Sequence, residues 1–198
     1  MAHIIVILDT SGSMDGIKEQ IVSSVNGFIF DQQKTIDDSR MTLITFSDRH
    51  NIVFEQVPIS HVQPIKYSDY VPDGMTALYD AVYFALIRYG DNSSTLVIIV
   101  TDGEENKSAT PRIQLNTLIE ARKEAGWKFI YLCNNMDTSQ GGIHMGLRFA
   151  TRGARDTTTQ NLVSPNMPAT LRRDVSAVAS AYRSTRMMPS IDKLSLDG

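Results

Sequence analysis

Two short aliphatic runs, HIIVIL at residues 3–8 and TLVIIVT at 95–101, narrow the folds open to this chain more than any other feature. Both are nearly continuous in β-branched and other apolar residues. They lack the alternation of a strand with one wet face, so they belong in a sheet covered on both sides. They fall far short of the roughly 20 apolar residues of a membrane-spanning helix. WKFIYLC at 127–133 reads as a further strand.

Between these runs the period changes. Ile17, Ile21, Val25, Phe28 and Ile29 recur at helical spacing after Met14, in a pattern that fades near Asp37. Met41 to Phe46 alternates into a strand, Ser47 to Asn51 is turn-like, and Ile52 to Val57 reads as its antiparallel partner. Pro58 to Gly74, with three prolines, is irregular with room for one short helix. Thr76 to Tyr89 is helical again, and Pro111 opens a helix that continues to Ala125 and ends at Gly126. Ser139 to Gly146 reads as a short helix, Leu147 to Ala150 as a last edge strand, Leu171 to Arg183 as a closing helix. Strands alternating with helices predict an α/β fold: a doubly wound, mostly parallel central sheet with one antiparallel edge strand and helices on both faces. One domain over residues 1–185 and a flexible tail at 186–198 are expected.

Sheets of this kind bind ligands outside the carboxyl ends of their strands, where the strand order reverses. Asp9, Ser11 and Ser13 of "ILDTSGSM" follow the first strand, and Asp102 of "VTDGEEN" follows TLVIIVT, so both groups belong on one rim. Thr76, in "PDGMTALYDA", opens a helix packed on the same sheet. Two carboxylates and three hydroxyls meeting at one point suit magnesium, with manganese as a substitute. A calcium loop does not fit, because Met14 stands where that motif needs glycine and Gln20 where it needs glutamate. Taken singly, Ser11, Ser13 and Thr76 read as helix caps and Asp102 as a turn residue. Taken jointly they read as a metal site. Asp80 reads as a residue that holds loops together, and Glu104 and Glu105 as a solvated border or as residues that tune partner choice.

These residues resemble the von Willebrand factor A family, and the wording around them is similar to its prokaryotic and phage-type members. The family's metal-ion-dependent adhesion site consists of an Asp-x-Ser-x-Ser stretch, a threonine in a later loop and an aspartate in a third. Here the matching positions are Asp9, Ser11 and Ser13, then Thr76, then Asp102. The resemblance covers residues 3 to about 135 and, more loosely, the segments beyond. It implies a Rossmann-like fold and a cation bound directly by the serines and threonine, with the aspartates acting largely through water or charge. It also implies an open coordination position for a Glu or Asp of a partner protein. Such modules serve as adaptors beside AAA+ ATPases, in stress-response systems or in the assembly of complexes.

The residues outside the site add little chemistry. Cys133 is the only cysteine, which excludes an internal disulfide and a cysteine-based metal cage. His3, His50, His61 and His144 show no ligand spacing, and no nucleophile–base pair is evident, so a non-enzymatic module is expected. Two other readings compete with it. One is a magnesium-dependent phosphoester hydrolase, for which Lys107 is the nearest helper. The other is nucleic-acid binding through residues 148–198, which carry eight Lys and Arg against four Asp and Glu. Against the second stands pairing of these arginines with the acidic body. With no signal-like leader evident, a reducing, cytoplasmic setting and a monomer are the simplest expectations.

Overall fold

The computed structural model describes residues 1–90, 94–102, 105–134 and 159–185. Among these residues six strands form one sheet in the order β3-β2-β1-β4-β5-β6. They are β1 (His3–Asp9), β2 (Arg40–Phe46), β3 (His50–Pro58), β4 (Thr95–Thr101), β5 (Lys128–Cys133) and β6 (Thr159–Val163). All neighbours run parallel except β2 and β3, so β3 is the antiparallel edge. The expected mixed, mostly parallel sheet flanked by helices is thus what the chain forms.

Alternation within the aliphatic runs explains the two-sided cover. Ile4, Val6 and Leu8 of β1, with Leu96, Ile98 and Val100 of β4, pack into one core with α1 (Lys18–Gln33). The closing helical run supplies Leu171, Val175, Val178 and Tyr182 to that core. Ile5, Ile7, Val97 and Ile99 face the other way, against α2 (Leu78–Arg88) and α3 (Arg112–Glu124). Every residue of β1 and β4 is buried.

Several boundaries differ from expectation, each for a local reason. The first helix opens with a 3₁₀ turn, Gly12–Ile17, before α1 proper, which ends at Gln33. The stretch from 58 to 74 holds two 3₁₀ turns, Ile59–His61 and Tyr67–Asp69. Thr76 precedes α2 and does not open it, because the amides of Thr76 and Ala77 are bound to Asn106 Oδ1 and the Ser47 carbonyl. The place beside β5 belongs to Thr159–Val163, a TQNLV strand without an aliphatic run. The short helix expected at 139–146, the strand expected at 147–150 and the tail at 186–198 lie outside the described residues. The closing helix starts earlier than expected, as Met167–Thr170, a π turn over Leu171–Val175, and then Ser176–Thr185.

That run is anchored by charge as well as packing. Arg183, 2% exposed, donates to both Asp37 oxygens, at 3.1 and 2.7 Å, and to the Thr35 carbonyl at 2.9 Å. It also donates to the Gln32 carbonyl. Arg173 pairs with Asp174 at 2.7 Å. Arg183 thus pairs with an acid of the body, as the pairing reading expects, whereas Arg173 pairs with an acid of its own segment.

Candidate functional site

Strand register places the first two acids. β1 and β4 are adjacent, with Leu8 opposite Val100, so Asp9 and Thr101 emerge side by side at the carboxyl rim where strand order reverses. Thr101 Oγ1 donates to Asp9 Oδ2 at 2.5 Å, and the Ser11 amide donates to Asp9 Oδ1 at 2.6 Å. An aspartate that binds the amide two residues on makes a tight turn, which bends the chain sharply after β1. Ser11 stands at the cap position of the following 3₁₀ turn, yet its side chain caps nothing. Its hydroxyl lies 3.2 Å from that of Ser13, and Ser13 Oγ donates to Asp102 Oδ1 at 2.7 Å. Asp9, Ser11, Ser13 and Asp102 therefore form one connected polar chain.

Thr76 reaches the same rim through its loop. The Asp73 amide donates to the Thr10 carbonyl at 2.8 Å, and the Gly12 amide donates to the Gly74 carbonyl at 3.1 Å. Gly74 has φ +76°, and a Cβ there would stand 2.7 Å from Asp48 Oδ2, so the close approach requires glycine. Thr76 follows two residues later, 3% exposed. The loop that carries it is thus stitched directly to the serine turn.

Both carboxylates are electrostatically uncomfortable. Burial pushes the Asp9 carboxyl up to about 6; hydrogen bonds from Thr101 and Ser11 offset part of this, and the Asp102 charge adds to it. Burial likewise raises Asp102, against the Ser13 hydrogen bond. Tyr70, whose hydroxyl donates to the Asp9 carbonyl at 2.6 Å, is held well above its ordinary value by burial and the two nearby acids, so it stays a donor. All the side chains that lower the two acids are neutral. A divalent ion here would supply the missing positive charge and reverse both shifts.

One spacing among these oxygens suits the same ion. Neighbouring ligands of an octahedral ion with bonds of 2.0–2.1 Å stand about 3 Å apart. The two serine hydroxyls, 3.2 Å apart, nearly meet this spacing. Asp9 has both oxygens already engaged by protein donors, and Asp102 Oδ1 accepts from Ser13. Among the described residues no group of three or more His, Cys, Asp or Glu is placed to hold a metal, so the donor set at this rim is mostly hydroxyl.

Other expectations resolve into packing. Asp80 accepts from the amides of Ala109 and Thr110 at 3.0 and 2.8 Å, and so holds loops together. Glu105, half-buried, binds the Tyr79, Lys107 and Ser108 amides and so also holds loops together, while Glu104 lies outside the described residues. His3 is buried against Thr42 at 2.8 Å, and Cys133 is fully buried. Thr101, Tyr70 and Asn106 escaped the sequence reading. Only Thr101 carried a signal: a polar residue closing an otherwise aliphatic run beside Asp102.

The family model for the von Willebrand factor type A domain matches residues 3–140. Among curated proteins none matches the chain. Solved structures do. The PilB minor pilin from Streptococcus sanguinis superposes with a TM-score of 0.66 at 12% identity, over 94% of this chain and 62% of that one. Proximal thread matrix protein 1 from the mussel byssus, with a zinc-occupied MIDAS motif, gives 0.59 at 18% identity, over 90% of this chain and 46% of that one. Manganese-loaded TRAP protein from Plasmodium vivax gives 0.54 at 16% identity, over 85% and 71%. The chain therefore spans about half the length of the mussel protein, and identities this low speak for the fold alone.

Proposed function

The chain belongs to the von Willebrand factor type A domain family, and on that premise we propose that it is a magnesium-dependent protein-binding module that captures a Glu or Asp of a partner. The observation that carries this reading is the polar chain Asp9–Ser11–Ser13–Asp102, with the Thr76 loop stitched to it. The mussel neighbour, with zinc in its MIDAS motif, and the manganese-loaded Plasmodium neighbour support a divalent ion in this chain.

Ser11, Ser13 and Thr76 hold the ion directly. Asp9, with both oxygens occupied by Thr101 and the Ser11 amide, contributes charge and orients the turn. Asp102 orients Ser13 and adds its own charge. When bound, the ion supplies an electron-poor centre with a position open to a partner's carboxylate, a charge-assisted contact. Sparing use of direct carboxylates keeps that centre receptive. Nothing in this donor set needs turnover, and the proposed role is an adaptor or assembly factor, acting without catalysis, inside the cell and alone as a monomer. No helix of the described residues is long and apolar enough to cross a membrane.

The test is affinity capture from the source cells in magnesium, against the same capture in chelator and with Asp9→Ala. Partners retained only by the wild type in magnesium support the reading. An identical set in all three arms contradicts it. Hydrolysis of a generic phosphoester that requires magnesium and Asp102 would point instead to an enzyme.

A further inference from the structure

The loop after β4 does more than carry Asp102. Its residues 105–110 and the start of α2 satisfy one another's backbone groups in both directions. Glu105 Oε2 accepts from the Tyr79 amide at 2.9 Å and from Ser108 Oγ at 2.7 Å. Its other oxygen accepts from the Lys107 and Ser108 amides at 2.8 and 2.6 Å. Ser108 Oγ in turn accepts from the Asp80 amide at 3.0 Å, and the Asp80 carboxylate binds the Ala109 and Thr110 amides. Helix α2 has Ala77 at its cap position, with no side-chain cap of its own, so its first amides depend on this neighbouring loop.

Asn106 closes the frame on Thr76 itself. Its Oδ1 accepts from the Thr76 amide at 2.9 Å, and its own amide donates to the Thr76 carbonyl at 3.1 Å. On the other side of Thr76 the support is thinner. Met75 is 44% exposed, and its amide donates to the exposed Asp48 carboxylate at 3.2 Å. The Gly74 carbonyl and the Ala77 amide are tied to Gly12 and to the Ser47 carbonyl, whereas the amide and the carbonyl of Thr76 itself are both held by Asn106.

Building on the reading of Thr76 as a cation ligand, we propose that Asn106 and Glu105 are positioning residues that hold Thr76 at a set distance from the Ser11–Ser13 turn and so select a small divalent ion over a large one. Magnesium and manganese need near-octahedral oxygens, with magnesium bonds at roughly 2.0–2.1 Å, whereas calcium accepts six to eight oxygens at about 2.3–2.6 Å in looser geometry. A frame bonded to both the amide and the carbonyl of Thr76 favours the former. Released, the threonine can retreat to the distances calcium prefers. Glu105 acts at one remove, by fixing the loop against the positive end of α2.

The experiment titrates the full chain with manganese, read by electron paramagnetic resonance, and with calcium, read by calorimetry. The proteins compared are wild type, Asn106→Ala, Asn106→Asp and Glu105→Gln. Asn106→Ala and Glu105→Gln should lose roughly tenfold or more in manganese affinity, the usual effect of removing an outer-shell partner. Calcium affinity should stay nearly unchanged, so the ratio narrows. Asn106→Asp keeps the acceptor oxygen and should restore the wild-type ratio. Equal losses for both ions, or no loss, overturn the proposal. If Asn106→Ala does not fold, Ser108→Ala takes its place with the same narrowing in smaller degree. A wild type that binds no manganese overturns the metal site itself, whereas a binding wild type with unaltered variants overturns only the positioning role.

Discussion

Ser13 Oγ donates to Asp102 Oδ1 across 2.7 Å, joining residues 89 positions apart. The contact exists because β1 and β4 are sheet neighbours and both chain segments leave the sheet at the same rim. Ser13→Ala removes a hydroxyl that serves Asp102 and, in the proposed site, would bind the ion. Manganese affinity should fall by at least tenfold, while the apo protein, losing only the contacts of this hydroxyl with Asp102 and Ser11, should keep its melting temperature within a few degrees. Calorimetric titration beside thermal denaturation in chelator checks both.

Metal removal should itself be measurable as lost stability. A ligand that binds only the native state stabilises it by about 2.7 kcal/mol at one hundred times its dissociation constant. Thermal denaturation in saturating magnesium should therefore give a higher midpoint than in chelator. In Asp102→Ala the two curves should nearly coincide.

The apo protein should also respond to acid in an unusual direction. Asp9 has an ordinary value of 3.8 and lies near 6 in the fold, mainly through burial. A carboxyl raised in the native state binds more protons there than in the unfolded chain. Stability is therefore fullest below the unfolded value and is lost as pH rises through the folded one. The window runs from about pH 4 to about 6, with an effect of up to about 3 kcal/mol. In chelator, the midpoint should lose less on moving from pH 7 to 5 in the wild type than in Asp9→Asn, which has no such titration. Parallel pH profiles for the two proteins would contradict the burial argument.

How much of this was legible in the sequence depended on whether a residue's signal was local. HIIVIL and TLVIIVT announced buried strands because two-sided cover leaves no room for alternation, and the acids that end or follow those strands inherited their place at the rim. Strand β6 was missed because TQNLV sits at the edge and has no aliphatic run. Thr76 was placed inside a helix because its neighbours have helical spacing, while the amides of Thr76 and Ala77 are bound by residues from two other loops. Asn106 leaves no mark and Glu105 reads only as a border residue, since their partners are mostly backbone amides and carbonyls, which look alike in every sequence. Arg183 looked like one more basic residue, and only the fold reveals Asp37 opposite it, 146 positions away.

That last pair gives a stability prediction independent of any metal. Arg183 is enclosed among Asp37, Gln32 and Thr35, so Asp37→Ala strands a buried guanidinium without its counter-charge. The cost should approach the 3–5 kcal/mol of a broken buried pair, somewhat reduced because Asp37 keeps partial solvent access. Urea denaturation at neutral pH checks it. Arg183→Met, which removes the charge and keeps much of the stem, should cost less than Asp37→Ala.

The most direct measurement is a manganese titration of the wild type and of Thr76→Val, followed by electron paramagnetic resonance. One ion per chain, displaced by excess magnesium, with affinity collapsing in the valine variant, is the predicted result. A wild type that takes up no manganese, or a valine variant that binds as well as the wild type, would contradict a site in which hydroxyls from the β1 turn and the Thr76 loop share one ion.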